Sequence, residues 1–137
     1  GYVLAHAFGA AFDNPDLVAV AVIGDGEAET APLEGSWKGI HFLSPTRDGA
    51  VLPVLHLNGY KIAGPTVMGR MTDERIAQLL AGHGYDARFV SGDEPMSVHR
   101  DLARTQRQLR HRRVDTTLRY NRGADALRDN SSGKLGL

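Results

Sequence analysis

One apolar segment constrains the fold of this chain more than any other feature. Residues 18–23 form the run Val-Ala-Val-Ala-Val-Ile, and Gly24, Asp25 and Gly26 follow it at once. A run of this length that is rich in β-branched residues predicts a strand buried on both faces of a parallel sheet. Glycine permits a tight turn, and open α/β sheets bind ligands at the carboxyl ends of their strands. We therefore expect a binding site at this turn.

Three carboxylates lie in this turn and just after it, at Asp25, Glu27 and Glu29. They repel one another unless a cation lies among them, and Mg²⁺ takes one or two protein carboxylates together with phosphate oxygens. The same residues argue against a dinucleotide site, because Glu29 replaces the third glycine of that fingerprint and the carboxylates would repel a pyrophosphate without a metal. The first hypothesis is therefore a metal-assisted site, rather than a dinucleotide site, at the end of this strand.

A second apolar run, residues 51–57, predicts a neighbouring strand. Because proline has no N–H to donate, we expect the ladder of this strand to begin after Pro53, at Val54. Asn58 follows the run directly and is placed to supply a second oxygen ligand beside Asp25. Aspartate or asparagine before glycine is equally typical of a plain turn, so spacing alone leaves both interpretations open.

The remaining segments alternate between helix and strand. Helical spacing is found in residues 2–12, 32–43, 72–82 and 95–109, and a short strand is predicted for residues 85–90. This alternation predicts an α/β fold with a parallel sheet flanked by helices. A chain of 137 residues suits one domain, and no apolar run is long enough to span a membrane. The absence of cysteine fits a cytoplasmic protein.

Two longer motifs carry a family resemblance. The segment GDGEAETAPLEGSW from Gly24 and the segment DGAVLPVLHLNGYKIAGPT from Asp48 closely resemble thiamine-diphosphate enzymes of the phosphoketolase family. The similarity covers roughly residues 1–100 and implies a partial thiamine-diphosphate-binding domain over residues 1–103, with thiamine diphosphate and Mg²⁺ as cofactors. The family reaction is phosphorolytic cleavage of xylulose 5-phosphate or fructose 6-phosphate, which gives acetyl phosphate and a shorter aldose phosphate. The resemblance also implies a homo-oligomer.

The resemblance assigns roles residue by residue. Asp25 resembles the Mg²⁺ ligand of the family, Asn58 the second side-chain ligand, and the backbone carbonyl of Tyr60 a third ligand. The implied cofactor-binding set is Gly24, Asp25, Gly26, Glu27, Asn58, Tyr60 and Lys61. No catalytic residue is carried over, because the glutamate that activates the cofactor and the histidines that handle the sugar phosphate belong to other parts of a longer protein. The resemblance therefore implies an inactive fragment.

The charge of the chain changes sign along its length. Residues 1–99 carry 6 Lys and Arg against 12 Asp and Glu, whereas residues 100–137 carry 10 against 4. We predict a separate basic, helical tail over residues 104–137 with a disordered end. Within it, LRHRRVDTTLRY resembles the C-terminal signature of tyrosine recombinases, with His111 and Tyr120 at matching positions and the similarity spanning residues 105–130. The alternative function is therefore DNA binding through the arginine-rich tail of a fused or frameshifted chain.

Overall fold

The computed structural model describes residues 1–91, 96, 99, 100, 103 and 116–121. Its α-helices are α1 (Val3–Ala11), α2 (Asp25–Ala28), α3 (Ala31–Ser36) and α4 (Asp73–Gly82). Two 3₁₀ helices span Trp37–Phe42 and Met68–Arg70. The strands are β1 (Val18–Gly24), β2 (Ala50–Leu57), β3 (Tyr60–Lys61), β4 (Gly64–Pro65), β5 (Asp86–Ser91) and β6 (Thr116–Asn121).

The four longer strands form one parallel sheet in the order β1-β2-β6-β5. β1 pairs with β2 along its whole length, from Val18 opposite Ala50 to Gly24 opposite His56. β3 and β4 form a separate antiparallel hairpin beyond the end of β2. A parallel sheet combined with helices agrees with the predicted α/β class.

β1 differs from its prediction in the burial of one face. Ala21 and Ile23 are buried in the core that α1 helps to form, as expected. Val20 and Val22, however, are 46% and 63% exposed, so the prediction of a strand buried on both faces is wrong. In the part of the chain that the structure describes, β1 is an edge strand that pairs with β2 only. The exposure of Val20 and Val22 shows that the described residues leave the second face of β1 largely open.

β2 contains Pro53 inside its ladder. The pairing with β1 runs across this residue, with Pro53 opposite Ala21, so the prediction that the ladder begins at Val54 is wrong on that side. On the other side the pairing with β6 does begin at Val54, opposite Leu118. Successive residues of a strand direct their N–H groups to alternate sides, so one proline removes at most one ladder bond. The strand tolerates that loss.

Residues 116–121 contradict the predicted helical tail, because they form strand β6. β6 lies between β2 and β5 and pairs in parallel with both. The β-branched and aromatic residues Thr116, Thr117 and Tyr120 favour a strand. The helix was predicted from the number of arginines in the tail, without taking these residues into account. The rest of the tail, including His111 and the predicted disordered end, lies outside the described residues.

α1 packs on the sheet through the residues that its spacing indicated. In α1, Leu4, Phe8 and Ala11 are buried. The helix predicted over residues 32–43 is divided into α3 and the 3₁₀ helix Trp37–Phe42. Thr72 is the N-cap of α4, because its side-chain oxygen accepts a hydrogen bond from the Arg75 N–H in the first turn of the helix. No helix among the described residues is long and apolar enough to cross a membrane.

Candidate functional site

Two turns meet at the carboxyl edge of the β1–β2 pair. Asp25 follows β1 directly and begins α2, while Asn58 and Gly59 follow β2. Gly24 lies opposite His56 in the parallel ladder, so the segments that follow β1 and β2 leave the sheet at the same level. The Gly59 N–H donates to Asp25 Oδ2 at 2.7 Å and joins the two turns directly. The two strand ends that the sequence predicted to be neighbours are therefore in contact.

The Asp25 carboxylate is buried and hydrogen-bonded through both of its oxygens. Its residue is 1% exposed. Oδ1 accepts from the Gly26 N–H at 2.9 Å, and Oδ2 accepts from the Gly59 N–H at 2.7 Å and from the Thr66 hydroxyl at 2.8 Å. A buried charge is costly unless such donors compensate for the loss of water. The three donors therefore stabilise a carboxylate at this point and fix its orientation.

Glycine is required at two positions of these turns. Gly59 has a φ of 80°, in the left-handed region that favours glycine. At Gly26 a Cβ would lie 2.8 Å from Lys61 Cβ, because the first turn of α2 lies directly against β3. These glycines allow the backbone of both turns to approach the Asp25 carboxylate.

The turns and the β3–β4 hairpin enclose an open pocket of about 430 Å³. Its lining consists of Gly24, Asp25, Gly26, Glu27, Asn58, Tyr60, Lys61, Ile62 and Ala63. All seven residues of the predicted cofactor-binding set are therefore brought together around one space. That they bind a cofactor stays a prediction.

The three carboxylates of the first turn point to different surroundings. Asp25 and Glu27 line the pocket. Glu29 instead accepts from the Met68 N–H at 2.8 Å through Oε1 and lies 3.2 Å from Lys61 Nζ through Oε2. The expectation that one cation must relieve the repulsion among all three is wrong for Glu29, because a lysine and a backbone amide compensate its charge.

The oxygen atoms at the pocket fit a magnesium ion with incomplete protein coordination. Asp25 contributes a fixed carboxylate. Asn58 Oδ1 accepts from the Tyr60 N–H at 2.9 Å, and this bond holds Asn58 and Tyr60 in one turn. Within the described residues, no three histidine, aspartate or glutamate side chains form a metal cluster of their own. Mg²⁺ characteristically takes few protein oxygens and completes its octahedron with water and phosphate. The donor set therefore suits Mg²⁺ bound together with a phosphate ligand.

Sequence reasoning missed Thr66, Ile62 and Ala63. Ile62 and Ala63 line the pocket from the tip of the hairpin, and Thr66 is 0% exposed behind Asp25. No periodicity marks a single threonine in a loop with glycine and proline. The only signal in the sequence that pointed to Thr66 was its position as the last residue of the segment DGAVLPVLHLNGYKIAGPT.

Comparison with known proteins identifies the family. The model of the XFP N-terminal domain matches residues 1–127. The chain belongs to the phosphoketolase N-terminal domain family. A probable phosphoketolase of Pseudomonas putida is 64% identical over 105 residues, which are 77% of this chain and 13% of that protein. The probable phosphoketolase of Chlorobaculum tepidum is 62% identical over 105 residues, with the same coverage of 77% and 13%.

A third relative extends the match farther along the chain. The probable phosphoketolase of Nitrosospira multiformis is 53% identical over 127 residues, which cover 85% of this chain and 16% of that protein. The chain thus spans 13% to 16% of the length of these phosphoketolases. The phosphoketolase domain model also takes in most of residues 105–130, and these matches do not support a recombinase relationship there. Tyr120, the predicted recombinase residue, lies on β6 opposite His56 and Val90. The predicted domain boundary at residue 103 stays a prediction.

Proposed function

We propose that this chain forms the magnesium and diphosphate side of the thiamine-diphosphate site of a phosphoketolase. The observation that carries the proposal is the buried, three-fold hydrogen-bonded carboxylate of Asp25 at the wall of a pocket that all seven predicted residues line. Membership of the phosphoketolase N-terminal domain family supports the same assignment. Binding and orientation of the cofactor are the tasks of this part of the protein.

Each pocket residue has a task that follows from its chemistry. Asp25, the Asn58 side-chain oxygen and the Tyr60 carbonyl would hold Mg²⁺ as hard oxygen ligands. The charge of Mg²⁺ would allow a diphosphate to lie near Asp25 and Glu27, which would otherwise repel it. Lys61, already paired with Glu29, adds positive charge at the rim. Gly24 and Gly26 would let the diphosphate approach the backbone closely.

Thiamine diphosphate, when bound, supplies the carbanion chemistry that cleaves a ketose phosphate. We propose that the longer protein is a lyase that cleaves xylulose 5-phosphate or fructose 6-phosphate with inorganic phosphate. The groups that hold the cofactor pyrimidine and the sugar phosphate would come from other parts of that protein and from a second subunit. The small share of the relatives that this chain spans, 13% of the P. putida protein, supports this division. The isolated chain is therefore expected to bind cofactor without turning over substrate.

Calorimetric titration of the 137-residue chain with thiamine diphosphate tests the binding. We expect binding with Mg²⁺ present and loss of binding with EDTA. Asp25→Asn should weaken it at least about 10-fold, since even the loss of a group that only supports a metal ligand costs about 10- to 100-fold. Asp16→Asn is the matched control, because it removes an exposed carboxylate outside the pocket lining.

Two results would contradict the proposal. Binding that is equally tight in EDTA, or in Asp25→Asn, would remove the magnesium site from this pocket. Acetyl phosphate formed from xylulose 5-phosphate by the isolated chain, with cofactor, Mg²⁺ and phosphate supplied, would refute the expected inactivity.

A further inference from the structure

The hydroxyl of Thr66 has a place in the site that the family motif does not explain. Thr66 follows β4 and is completely buried. Its Oγ1 lies 2.8 Å from Asp25 Oδ2 and accepts from the Gly69 N–H at 3.1 Å. Its own N–H donates to the Gly59 carbonyl at 2.9 Å. Thr66 thus contacts the carboxylate and the turn after β2 at the same time.

The direction of the Thr66–Asp25 hydrogen bond is determined by its neighbours. An ionised carboxylate can only accept hydrogen bonds, and a hydroxyl has a single hydrogen to donate. The Gly69 N–H is itself a donor, so the Thr66 oxygen accepts that bond. The hydroxyl hydrogen is therefore directed at Asp25 Oδ2.

The two oxygens of Asp25 are consequently not equivalent. In the described part of the chain, Oδ2 accepts from two donors, the Gly59 N–H and the Thr66 hydroxyl, whereas Oδ1 accepts from the Gly26 N–H. Each carboxylate oxygen offers about two lone-pair sites. Oδ2 is therefore saturated, and Oδ1 keeps one site for a further partner.

We propose that Thr66 is a positioning residue that makes Asp25 a monodentate ligand. Its hydroxyl and the Gly59 N–H together occupy Oδ2, so that Mg²⁺ is bound through Oδ1 alone. This inference rests on the proposed function and adds to it the choice of the oxygen and the reason for that choice. Because the same hydroxyl is fixed at the base of the β3–β4 hairpin, it also holds the Asp25 carboxylate at a fixed position relative to Tyr60 and Lys61 at the pocket rim.

Monodentate binding has a consequence for which cation the site prefers. Mg²⁺ requires a nearly ideal octahedron at short distances, whereas the larger Ca²⁺ accepts bidentate carboxylates and irregular geometry. Without the Thr66 hydroxyl, Oδ2 regains a lone pair and the carboxylate can bind through both oxygens. Such a change should weaken Mg²⁺ binding more than Ca²⁺ binding.

The experiment compares Thr66→Val, which removes the hydroxyl, with Thr66→Ser, which retains it. Thr46→Val is the control for loss of a threonine hydroxyl at an exposed position. Mn²⁺ binding to the 137-residue chain with saturating thiamine diphosphate is followed by electron paramagnetic resonance, and Mg²⁺ and Ca²⁺ affinities are obtained by competition.

For Thr66→Val we expect a 10- to 100-fold loss of Mg²⁺ affinity, the range typical of groups that orient a metal ligand, and a smaller loss for Ca²⁺. Thr66→Ser and Thr46→Val should keep the wild-type ratio of the two affinities. Unchanged Mg²⁺ affinity in Thr66→Val would overturn the inference. An equal loss for both cations would also overturn it, since a merely structural role predicts that result.

A measurement on the wild-type chain covers the case in which Thr66→Val does not fold. Infrared spectra of chain labelled with ¹³C-aspartate, with and without Mg²⁺, give the splitting of the Asp25 carboxylate bands, and Asp25→Asn identifies those bands. Wide, monodentate splitting supports the inference and narrow, bidentate splitting overturns it. If the wild-type chain shows no Mg²⁺-dependent cofactor binding, the proposed function fails, and the inference fails with it. If the wild type binds and Thr66→Val binds equally well, the role of Thr66 alone is refuted.

Discussion

The contact between α2 and β3 predicts that Gly26 accepts no side chain, although Gly24 two residues earlier does. A Cβ on Gly26 would lie 2.8 Å from Lys61 Cβ, an atom that is bonded to the backbone and cannot rotate away. A Cβ on Gly24 would meet no atom within 4 Å, and its φ of −73° suits any L residue. Gly26→Ala and Gly24→Ala are therefore a matched pair within one motif.

The size of the effect follows from the distances. Non-bonded carbons are best separated by about 3.5 to 4.0 Å, so α2 and β3 must move apart by about 0.7 to 1.2 Å in Gly26→Ala. Overpacking of this kind costs about 1 to 3 kcal/mol of the free energy of unfolding. At Gly24 alanine restricts the unfolded chain without strain and should stabilise by about 0.4 to 1 kcal/mol. The two variants should thus differ by about 1.5 to 4 kcal/mol.

Urea unfolding followed by tryptophan fluorescence measures this difference directly. Trp37 is the only tryptophan of the chain and is 1% exposed, so its emission reports loss of the core. With a urea m value of about 2 kcal/mol/M, a loss of about 2 kcal/mol lowers the midpoint by about 1 M. We expect this decrease for Gly26→Ala and an equal or higher midpoint for Gly24→Ala.

Unfolding of Gly26→Ala at the wild-type midpoint would contradict the predicted clash between α2 and β3. A Gly24→Ala variant less stable than Gly26→Ala would contradict it as well, because the contact of α2 with β3 would then not restrict residue 26.

Two further predictions concern hydrogen bonds away from the pocket. The Asp13 and Ser44 N–H groups donate to the buried Asp48 carboxylate and hold its pKa below the ordinary value of 3.8. The ionised carboxylate therefore stabilises the folded chain above pH 3.8, and this contribution is lost as the pH falls through the pKa of the folded state. Urea midpoints of wild type and Asp48→Asn should therefore differ most near neutral pH and converge in acid; a constant difference would contradict this. Tyr85→Phe leaves the Trp37 carbonyl without the hydroxyl that donates to it at 2.8 Å, and differential scanning calorimetry should show a loss of about 1 kcal/mol. An unchanged melting temperature would show that this bond contributes nothing.

Both predictions have controls on the surface of the same chain. Asp16→Asn removes an exposed carboxylate and should leave the acid dependence of stability unchanged. Tyr2→Phe removes a hydroxyl from a residue that is 67% exposed, where water replaces any lost partner, and should leave the melting temperature unchanged.

The meeting of the turns after β1 and β2 was predictable because it depends on local sequence and on one rule of sheet geometry. A β-branched run and a Gly-Asp-Gly turn indicated β1, and the carboxyl ends of parallel strands lie at one edge, which brought Asn58 to Asp25. Helix caps such as Thr72 were equally local. These features need no knowledge of distant contacts.

The features that sequence reasoning missed depend on distant partners. Val20 and Val22 have the same apolar character as Ala21 and Ile23, and the exposed pair is the one on the face of β1 that the core does not cover. Residues 116–121 become a strand between two others, while the high density of arginine suggested a basic helix. A hydroxyl such as that of Thr66 acquires its role from a carboxylate 41 residues away. Such pairings arise from the tertiary fold and leave no periodic signal.

The position of β6 in the middle of the sheet has a consequence for the order in which the chain can fold. β6 is the last of the four strands to be synthesised, yet within the described residues β5 joins the sheet only through it. The Leu57–Asn121 pairing cannot form before residue 121 has been synthesised, whereas the pocket contacts all lie within residues 24–69. We therefore expect the Asp25 pocket to form on the nascent chain before β6 joins the sheet. Ribosome-bound intermediates should accordingly show the pocket hydrogen bonds before β5 is protected from exchange.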